Sequence, residues 1–274
     1  MYSRGYRPDP SGHQKAPFGR FLAMRGIAPD TVTPSTYLDI LDAIPEPLDQ
    51  NGSSACVGHS LAAGIYTRCN IMADKLPWMP SPKGIYDIAR ARVRAASGQG
   101  FAPLTDDGTE PFRAIEGVSM EGIRPMRGPT SDGRNSDCEP ATINDEPSLI
   151  DLEEDSRLLV MGAYAIESWG AQREQDIRVS LFHGFPLPVA VDASENSPIQ
   201  NYDGTKLIED MGTNLDHYVL AVSYRMINGE LTLGLLNSCG RGYGQNGLFW
   251  IGAKAIQQLG DIRCLDIRKI VVNA

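Results

Sequence analysis

The sequence lacks the charge balance of a nucleic-acid binder. It has 274 residues, with 25 Lys and Arg against 34 Asp and Glu, and its net charge is −9. Proteins that bind nucleic acids concentrate cationic side chains to neutralise phosphates and displace counterions. We therefore expect no nucleic-acid partner.

Long apolar runs are also lacking. No window approaches the length of a membrane span, and the N-terminal stretch MYSRGYRPDPSGHQKAPFGRF places charges and prolines where a signal peptide needs an apolar core. We expect no membrane association, and we expect the chain to be cytoplasmic.

Metal-binding spacings are missing as well. The five cysteines, at positions 56, 69, 138, 239 and 264, form no CxxC pair and no Cys/His pattern of a zinc site, and no glycine-rich phosphate cradle opens a convincing helix. We expect no metal and no cofactor. In a reducing compartment these cysteines should be free thiols, and a free cysteine is most often a small buried apolar residue.

The chain divides into a helical half and a sheet-rich half. Residues 1–35 are rich in Pro, Gly and Arg without clear periodicity, which predicts an irregular extension. Helical spacing follows in three segments, the first beginning after Ser53 or Ser54 as N-cap, the second at 81–98 and the third at 109–122.

The polar, acidic stretch 128–155 reads as a surface connection. After it the period changes to that of strands. Six short β-branched or aromatic runs predict strands at 157–166, 187–194, 217–226, 231–238, 247–252 and 262–273. The fold class is therefore α+β.

One cysteine has surroundings that suggest chemistry. In DQNGSSACVGHS, residues 49–60, Cys56 lies at the predicted start of a helix. Aligned N–H groups at a helix N-terminus stabilise a thiolate, which is the nucleophilic form of cysteine. Gln50 could donate an amide hydrogen to the oxygen that becomes negative when the thiolate attacks a carbonyl, together with the backbone N–H of Cys56.

A nucleophilic cysteine needs a histidine as its base. His13 lies in the extension, His183 lies at a turn, and His59 is three residues after Cys56 on the same helix, where a packing or capping role is expected. His217 opens a strand, and Asn237 ends another about twenty residues later. An imidazole held by an amide carbonyl suits a cysteine nucleophile.

These segments resemble a known family. DQNGSSACVGHS, TNLDHYVLAVSY and LLNSCGRGYGQNGLFWI are similar to the three signatures of the papain-like cysteine peptidases, in the family's order. SPKGIYDIARAR, TDDGTEPFRAIEGVSMEGIRP and the opening GYRPDP resemble its bacterial and phage branch. The resemblance covers roughly residues 36–274.

The resemblance implies a two-lobed fold. A helical lobe at about 41–150 would carry Cys56, a β-barrel-like lobe at about 155–274 would carry His217 and Asn237, and a peptide or protein substrate would lie between them. Gly108 would pair with the substrate backbone. Leu215 would line the main specificity pocket, which we expect to be apolar.

The sequence also departs from the family. Ser53 replaces the disulfide cysteine of secreted members, and Val57 replaces the usual aromatic residue. Cys239 stands where a tryptophan normally shields the contact between asparagine and histidine from water, and its loss should weaken that hydrogen bond. The extension is too short and insufficiently helical to resemble the family's propeptide, so we expect control by the extension, a partner or narrow specificity.

Two alternatives to a peptidase stay open at this point. One is a scaffold with weak or lost activity that serves as a structural or assembly component, for example of a phage particle, with a particle or regulatory protein as partner. The other is a peptidoglycan amidase or acyltransferase, a class that shares the Cys–His pair but needs neither Gln50 nor the Asn–Ser pair.

Overall fold

The computed structural model of the protein describes residues 5–10, 15–28, 34–72, 76–99, 102–127, 136–139, 141–145 and 157–272. Among the described parts of the chain, no helix combines the length and the hydropathy that crossing a bilayer requires. His13 lies outside these ranges, as does most of the predicted acidic connection.

The N-terminal extension contains regular structure. Strand β1 (Ala16–Pro17) leads directly into helix α1 (Phe18–Arg25). The helix ends at Gly26, whose φ of 65° closes the last turn as only a residue free of a Cβ does readily. The prediction of an irregular extension over residues 1–35 is therefore wrong for residues 16–25, because three apolar side chains of this short helix are buried in the core.

Three longer helices form the next part of the chain. After strand β2 (Tyr37–Asp39) and a 3-10 turn (Leu41–Ala43) come the helices α2 (Cys56–Ile71), α3 (Pro82–Ala96) and α4 (Pro111–Glu121). The predicted helices are confirmed. The N-cap of α3 is Ser81, whose hydroxyl accepts the N–H of Gly84 at 2.7 Å, as the Ser-Pro start suggested.

The remaining elements belong mainly to sheets. They are β3 (Arg157–Ala165), α5 (Gly170–Phe182), β4 (Leu187–Asp192), β5 (Leu215–Ile227), β6 (Glu230–Leu236), β7 (Leu248–Ile251), α6 (Ala253–Gln258) and β8 (Arg263–Val272). All six predicted strands are confirmed. The β5–β6 hairpin turns at Asn228 and Gly229, both with positive φ, which is typical of a type I′ turn.

The strands form two sheets. One has the order β1-β3-β8, with β1 parallel to β3 and β8 antiparallel to it. The other has the order β2-β5-β6-β7, with β4 also paired to the long strand β5. The described strands form two open sheets and do not close into a barrel, so the expectation of a β-barrel-like lobe is corrected to a lobe built of two sheets.

The two halves have separate cores. The larger core combines strand residues with α1 and α5, and the second surrounds α2 with apolar residues of α3 and α4. Ala190 of β4 and Tyr218 of β5 contribute to the second core, so α2 lies against the sheet. The fold is α+β and two-lobed. The limits 41–150 and 155–274 for the lobes stay a prediction.

Helix α5 was not predicted from the sequence. Its segment is polar on most of its length, and two of its charged residues, Arg173 and Asp176, are themselves buried. Arg173 donates to the carbonyls of Gln257 and Leu259 at 3.0 Å each. Because these arginine contacts replace apolar packing, the hydrophobic pattern of a helix is weak here.

Helix α1 should be essential for the stability of the β lobe. Phe21 is fully buried and lies edge-on to Phe185, with ring centroids 4.8 Å apart. We expect Phe21→Ala to lower the free energy of unfolding in urea by about 3–5 kcal/mol, since it leaves a cavity. The control is Phe182→Ala, at a side chain that is 41% exposed, where the loss should stay under about 1 kcal/mol. Equal losses in the two variants would contradict this role of α1.

Candidate active site

Cys56 is the first residue of the buried central helix α2. The N-cap is Ala55, and no side chain caps this helix end within the described structure. The expected N-cap at Ser53 or Ser54 is wrong, because the helix begins only after Ala55 and the Ser53 hydroxyl donates to the Gln50 carbonyl at 2.6 Å instead. The uncapped helix end leaves its backbone N–H groups facing the thiol.

The Cys56 thiol is completely buried. Its sulfur accepts hydrogen bonds from the backbone N–H groups of Tyr218, Gly5 and Val57, and these favour the thiolate. Burial outweighs them and raises the pKa of Cys56 to about 12, to which the nearby Asp216 carboxylate also contributes. In this state Cys56 is a neutral thiol, in contrast to the activated thiolate expected from its position at a helix start.

His217 and Asn237 are in direct contact. Nε2 of His217 lies 2.8 Å from Oδ1 of Asn237, and both side chains are buried. The other ring nitrogen, Nδ1, is buried without a hydrogen-bond partner among the described residues. Burial lowers the pKa of His217, and the Asn237 bond partly opposes this. The residue after His217, Tyr218, is one of the three whose backbone N–H groups contact the Cys56 sulfur.

Gln50 is linked to Asn237 through one residue, Ser238, whose backbone N–H donates to Asn237 Oδ1 at 2.9 Å. Ser238 Oγ donates to Gln50 Oε1 at 2.6 Å, and Gln50 Nε2 donates to the Ser53 carbonyl at 2.5 Å. The Gln50 side chain is therefore held at both ends of its amide. Sequence reasoning missed Ser238 as a contact of Gln50, although it is the Ser of the Asn–Ser pair.

Two main-chain segments join the cysteine side of the site to the asparagine side. The N–H of Gln50 donates to the Ser238 carbonyl at 2.9 Å, and the N–H of Gly240 donates to the Leu48 carbonyl at 3.0 Å. Asp49 and Cys239 face each other in this short antiparallel bridge. The residue that replaces the expected tryptophan is thus part of the frame that positions Gln50.

Cys239 does not leave the Asn237–His217 contact open to water. Its own side chain is buried in the larger core, and His217 and Asn237 remain 1% and 3% exposed. The expectation that cysteine in place of tryptophan exposes this hydrogen bond is wrong, because the packing around Asn237 and His217 excludes water from it.

The described structure assigns different surroundings to the two predicted substrate-binding residues. Gly108 has a φ of 80°, and its N–H donates to the Tyr86 hydroxyl at 3.0 Å. A Cβ at Gly108 would lie 2.3 Å from the Gly5 carbonyl oxygen, so the N-terminal segment passes over it. Leu215, two residues before His217, packs against the same core as Cys56 and lines a cavity of about 570 Å³.

Residues 5–9, which we name the cleft segment, lie across the site. The N–H of Thr109 donates to the Gly5 carbonyl at 2.8 Å, and the N–H of Tyr6 donates to the Asp216 carbonyl at 3.2 Å. The segment therefore contacts both the helical side and the strand that carries His217. Sequence reasoning noted GYRPDP only as part of a resemblance and did not place it in the site.

The remaining predicted histidines have other roles. His59 is buried, with Nδ1 2.9 Å from the Ala55 carbonyl and Nε2 2.9 Å from the Ser136 hydroxyl, which confirms a packing and capping role. His183 ends α5 as its C-cap. Within the described ranges, no three His, Cys, Asp or Glu side chains are grouped so that they could hold a metal ion.

A family model matches the second half of the chain. The model described as "Papain family cysteine protease" matches residues 137–263, a range that includes His217 and Asn237 and ends before the last strand is complete. No curated protein gives a significant match.

Solved structures resemble the whole fold. Xylellain, a cysteine protease from Xylella fastidiosa, is 19% identical with a TM-score of 0.67, covering 98% of this chain and 97% of that one. Digestive procathepsin L 3 of Tenebrio molitor is 18% identical with a TM-score of 0.64, covering 97% and 76%. Bromelain from Ananas comosus, solved with the E64 inhibitor, is 20% identical with a TM-score of 0.59, covering 85% and 98%. The fold is papain-like, and with the family match it supports a peptidase.

Buried His59 should make stability pH-dependent. Burial lowers its pKa to about 4, against about 6.5 for an unfolded histidine. The unfolded chain therefore binds more protons as pH falls through this window, and the free energy of unfolding decreases. The expected contribution of His59 is a loss of about 2 kcal/mol between pH 7 and pH 5.

The His59→Gln variant tests this contribution. Urea unfolding should show a less stable protein at pH 7, because two buried hydrogen bonds are disturbed, but a smaller further loss at pH 5 than the parent protein shows. If the free energy of unfolding of His59→Gln falls between pH 7 and pH 5 by as much as that of the parent protein, His59 does not titrate in this way.

Proposed function

We propose that this chain, papain-like by its fold and by the family match of its second half, is a cysteine endopeptidase that uses Cys56, His217, Asn237 and Gln50. The observation that carries the proposal is the buried 2.8 Å contact of His217 Nε2 with Asn237 Oδ1, which leaves His217 Nδ1 unused on the ring. The backbone of the next residue, Tyr218, bonds the Cys56 sulfur.

The proposed reaction has two halves. In the first, the Cys56 thiol transfers its proton to His217 Nδ1, the sulfur attacks the peptide carbonyl carbon, and His217 returns the proton to the leaving amine as the C–N bond breaks. In the second, water gives a proton to His217 and its oxygen attacks the thioester. The thiolate leaves, the acid product is released, and Cys56 is regenerated.

Asn237 has a positioning part in this reaction. Its carbonyl oxygen accepts the N–H of His217 Nε2, which fixes the ring and stabilises the imidazolium that forms when Nδ1 takes the cysteine proton. Because the contact is buried, solvent does not compete for it.

Gln50 supplies a donor to the developing oxyanion. Its amide nitrogen carries two N–H donors and donates to the Ser53 carbonyl, which holds it close to the start of α2. Ser238 donates to Oε1 and so fixes which side of the amide carries the N–H groups. Amide donors aimed at an oxyanion are worth a factor of about 10²–10³ in kcat.

A second function is favoured by one observation. Cys56 is wholly buried with its pKa raised to about 12, as in a protein that no longer uses its nucleophile. A structural or assembly role without catalysis predicts that Cys56 stays unreactive under every condition in which the fold is intact.

Labelling with an epoxysuccinyl inhibitor at near-neutral pH, followed by peptide mapping, tests the proposal. Cys56 should be modified faster than buried Cys69 by at least about 10²-fold, since the proposed mechanism gives Cys56 His217 as its base. His217→Ala should abolish the difference, and Cys69→Ala should leave the rate of modification at Cys56 unchanged. If Cys56 reacts no faster than Cys69 even when the cleft segment is displaced by mutation, the peptidase proposal is wrong.

Ser238→Ala tests the positioning of Gln50. The amide loses the hydroxyl that orients it, so kcat should fall by about tenfold to a hundredfold while KM changes little. Ser238→Thr keeps the hydroxyl and should recover most of kcat. A fall in Ser238→Ala that Ser238→Thr fails to recover would indicate a packing defect instead.

A further inference from the structure

Residues 136–138, which we name the support segment, pack against the start of helix α2. Ser136 and Cys138 are fully buried, and the Cys138 side chain packs with Ala55, the N-cap of α2, in a small apolar cluster. The prediction of a surface connection over residues 128–155 is therefore wrong for Ser136 and Cys138. The proposed reaction uses neither of these side chains.

His59 connects the support segment to the N-cap of α2. Its Nδ1 lies 2.9 Å from the Ala55 carbonyl, which can only accept a hydrogen bond, so Nδ1 carries the ring hydrogen. Burial lowers the pKa of His59 to about 4, so the ring is neutral at neutral pH and its Nε2 accepts the Ser136 hydroxyl at 2.9 Å. The Ser136 oxygen in turn accepts the N–H of Cys138 at 3.3 Å. Each donor and acceptor in this chain of bonds is thus fixed by its partner.

Asn51 connects the support segment to the residue that follows Gln50. Its buried side-chain amide donates to the Cys138 carbonyl at 2.9 Å. Asn51 has a φ of 57° and Gly52 a φ of 77°, a left-handed conformation that most other residues adopt only with strain. The bond to Cys138 therefore stabilises an uncommon turn directly beside Gln50.

These bonds form a path, which we name the support path, with an end at each of the two expected oxyanion donors. At one end Asn51 directly follows Gln50. At the other end Ala55 directly precedes Cys56, whose backbone N–H is the second expected donor. Catalytic groups lose much of their effect when they are displaced by a fraction of an ångström to one ångström. The support path runs through Asn51, Cys138, Ser136, His59 and Ala55.

Asp137 fixes the support segment to a second helix. Its carboxylate accepts the hydroxyl of Ser81, the N-cap of α3, and the backbone N–H of Lys83 at 3.1 Å. The segment is therefore bonded to α3 independently of the loop between Gln50 and Cys56. A fixed support for that loop requires such an independent anchor.

From these contacts we propose that Ser136, His59 and Asn51 are positioning residues of the oxyanion site. They hold the Gln50 amide and the Cys56 backbone N–H where a negative oxygen develops, and they act through the loop 50–56 without touching substrate. The inference rests on the proposed function. It adds that the rigidity of this loop and the rate of the chemical step are set by the same hydrogen bonds.

The first experiment follows the loop itself and needs no catalysis. Amide hydrogen exchange in peptides that cover residues 49–56 is measured by mass spectrometry on the full chain, on Ser136→Ala and on Asn51→Gly. Exchange should be at least about tenfold faster in each variant, because the loop opens more often when the support path is cut. Glycine adopts a positive φ readily, so Asn51→Gly removes the bond without straining the turn.

Asn228→Gly is the matched control for this experiment. Asn228 also has a positive φ, of 53°, but it lies in the exposed turn between β5 and β6, far from the support path in the sequence and without a bond to it. This variant should leave exchange at residues 49–56 within about twofold of the parent value, since it changes the same residue type outside the support path.

The second experiment uses peptide cleavage by the same variants. Because both donors act on the transition state, Ser136→Ala and Asn51→Gly should each lower kcat by about tenfold while KM stays within about twofold. Both changes cut one path, so the double variant should be no more than about threefold slower than the slower single variant. Asn228→Gly should change kcat by less than about twofold.

The outcomes separate this inference from the peptidase proposal. Faster exchange with a non-additive loss of kcat supports the positioning role. An active parent whose kcat is insensitive to both changes, or falls multiplicatively in the double variant, overturns the role and leaves the peptidase standing. Unchanged exchange at residues 49–56 in both variants also overturns it, whatever the parent cleaves. An inactive parent with faster exchange in both variants overturns the proposed function and, with it, the oxyanion role, and leaves a purely structural support of the loop. If Ser136→Ala does not fold, Asn51→Gly decides through exchange and through the separate effects on kcat and KM.

Discussion

The site depends on how α2 is fixed against strand β5. One turn after Cys56, the buried Ser60 hydroxyl donates to the carbonyl of Val219 at 2.8 Å, two residues beyond His217. The bridge between Asp49 and Cys239 adds a second connection, between the segment before α2 and the segment after β6. Nucleophile and base come from distant parts of the sequence, and these two contacts hold them in one place.

The protonation state of the site follows from a competition between burial and hydrogen bonding. Three backbone N–H groups favour a Cys56 thiolate, yet the desolvation of a fully buried charge is larger than their combined effect. Burial likewise disfavours the imidazolium form of His217. Cys56 and His217 are thus both neutral in this structure, with the cleft segment in place. The thiolate–imidazolium pair becomes favourable only when water or substrate dipoles surround it.

Much of the fold could be predicted from the sequence. The Ser-Pro start of α3 and the Asn-Gly turn between β5 and β6 are local sequence signals. The strands contain β-branched runs, which favour extended structure. Helices α1 and α5 could not be predicted in this way. Helix α1 is too short to show periodicity, and α5 buries an arginine whose partners are carbonyls at the C-terminal end of α6, far away in the sequence.

The candidate site was partly predictable for similar reasons. Gln50, Cys56, His217 and Asn237 stand in recognisable local sequences, so residue type and spacing were informative. The burial of Cys56 could not be predicted. Gly5, which contacts the Cys56 sulfur, belongs to an N-terminal stretch with no periodic pattern. The shielding of His217 from water was also unpredictable. Cys239 stands in place of the expected tryptophan ring, and its side chain packs in the larger core.

The anchoring of α1 also bears on the cleft segment. Phe18, Phe21 and Leu22 hold α1 in the larger core, and only four residues, 11–14, separate Pro10 from Lys15. So short a connection spans at most roughly 18 Å when fully extended. A substitution that loosens α1 in its core therefore also loosens the end of the chain that contacts Cys56.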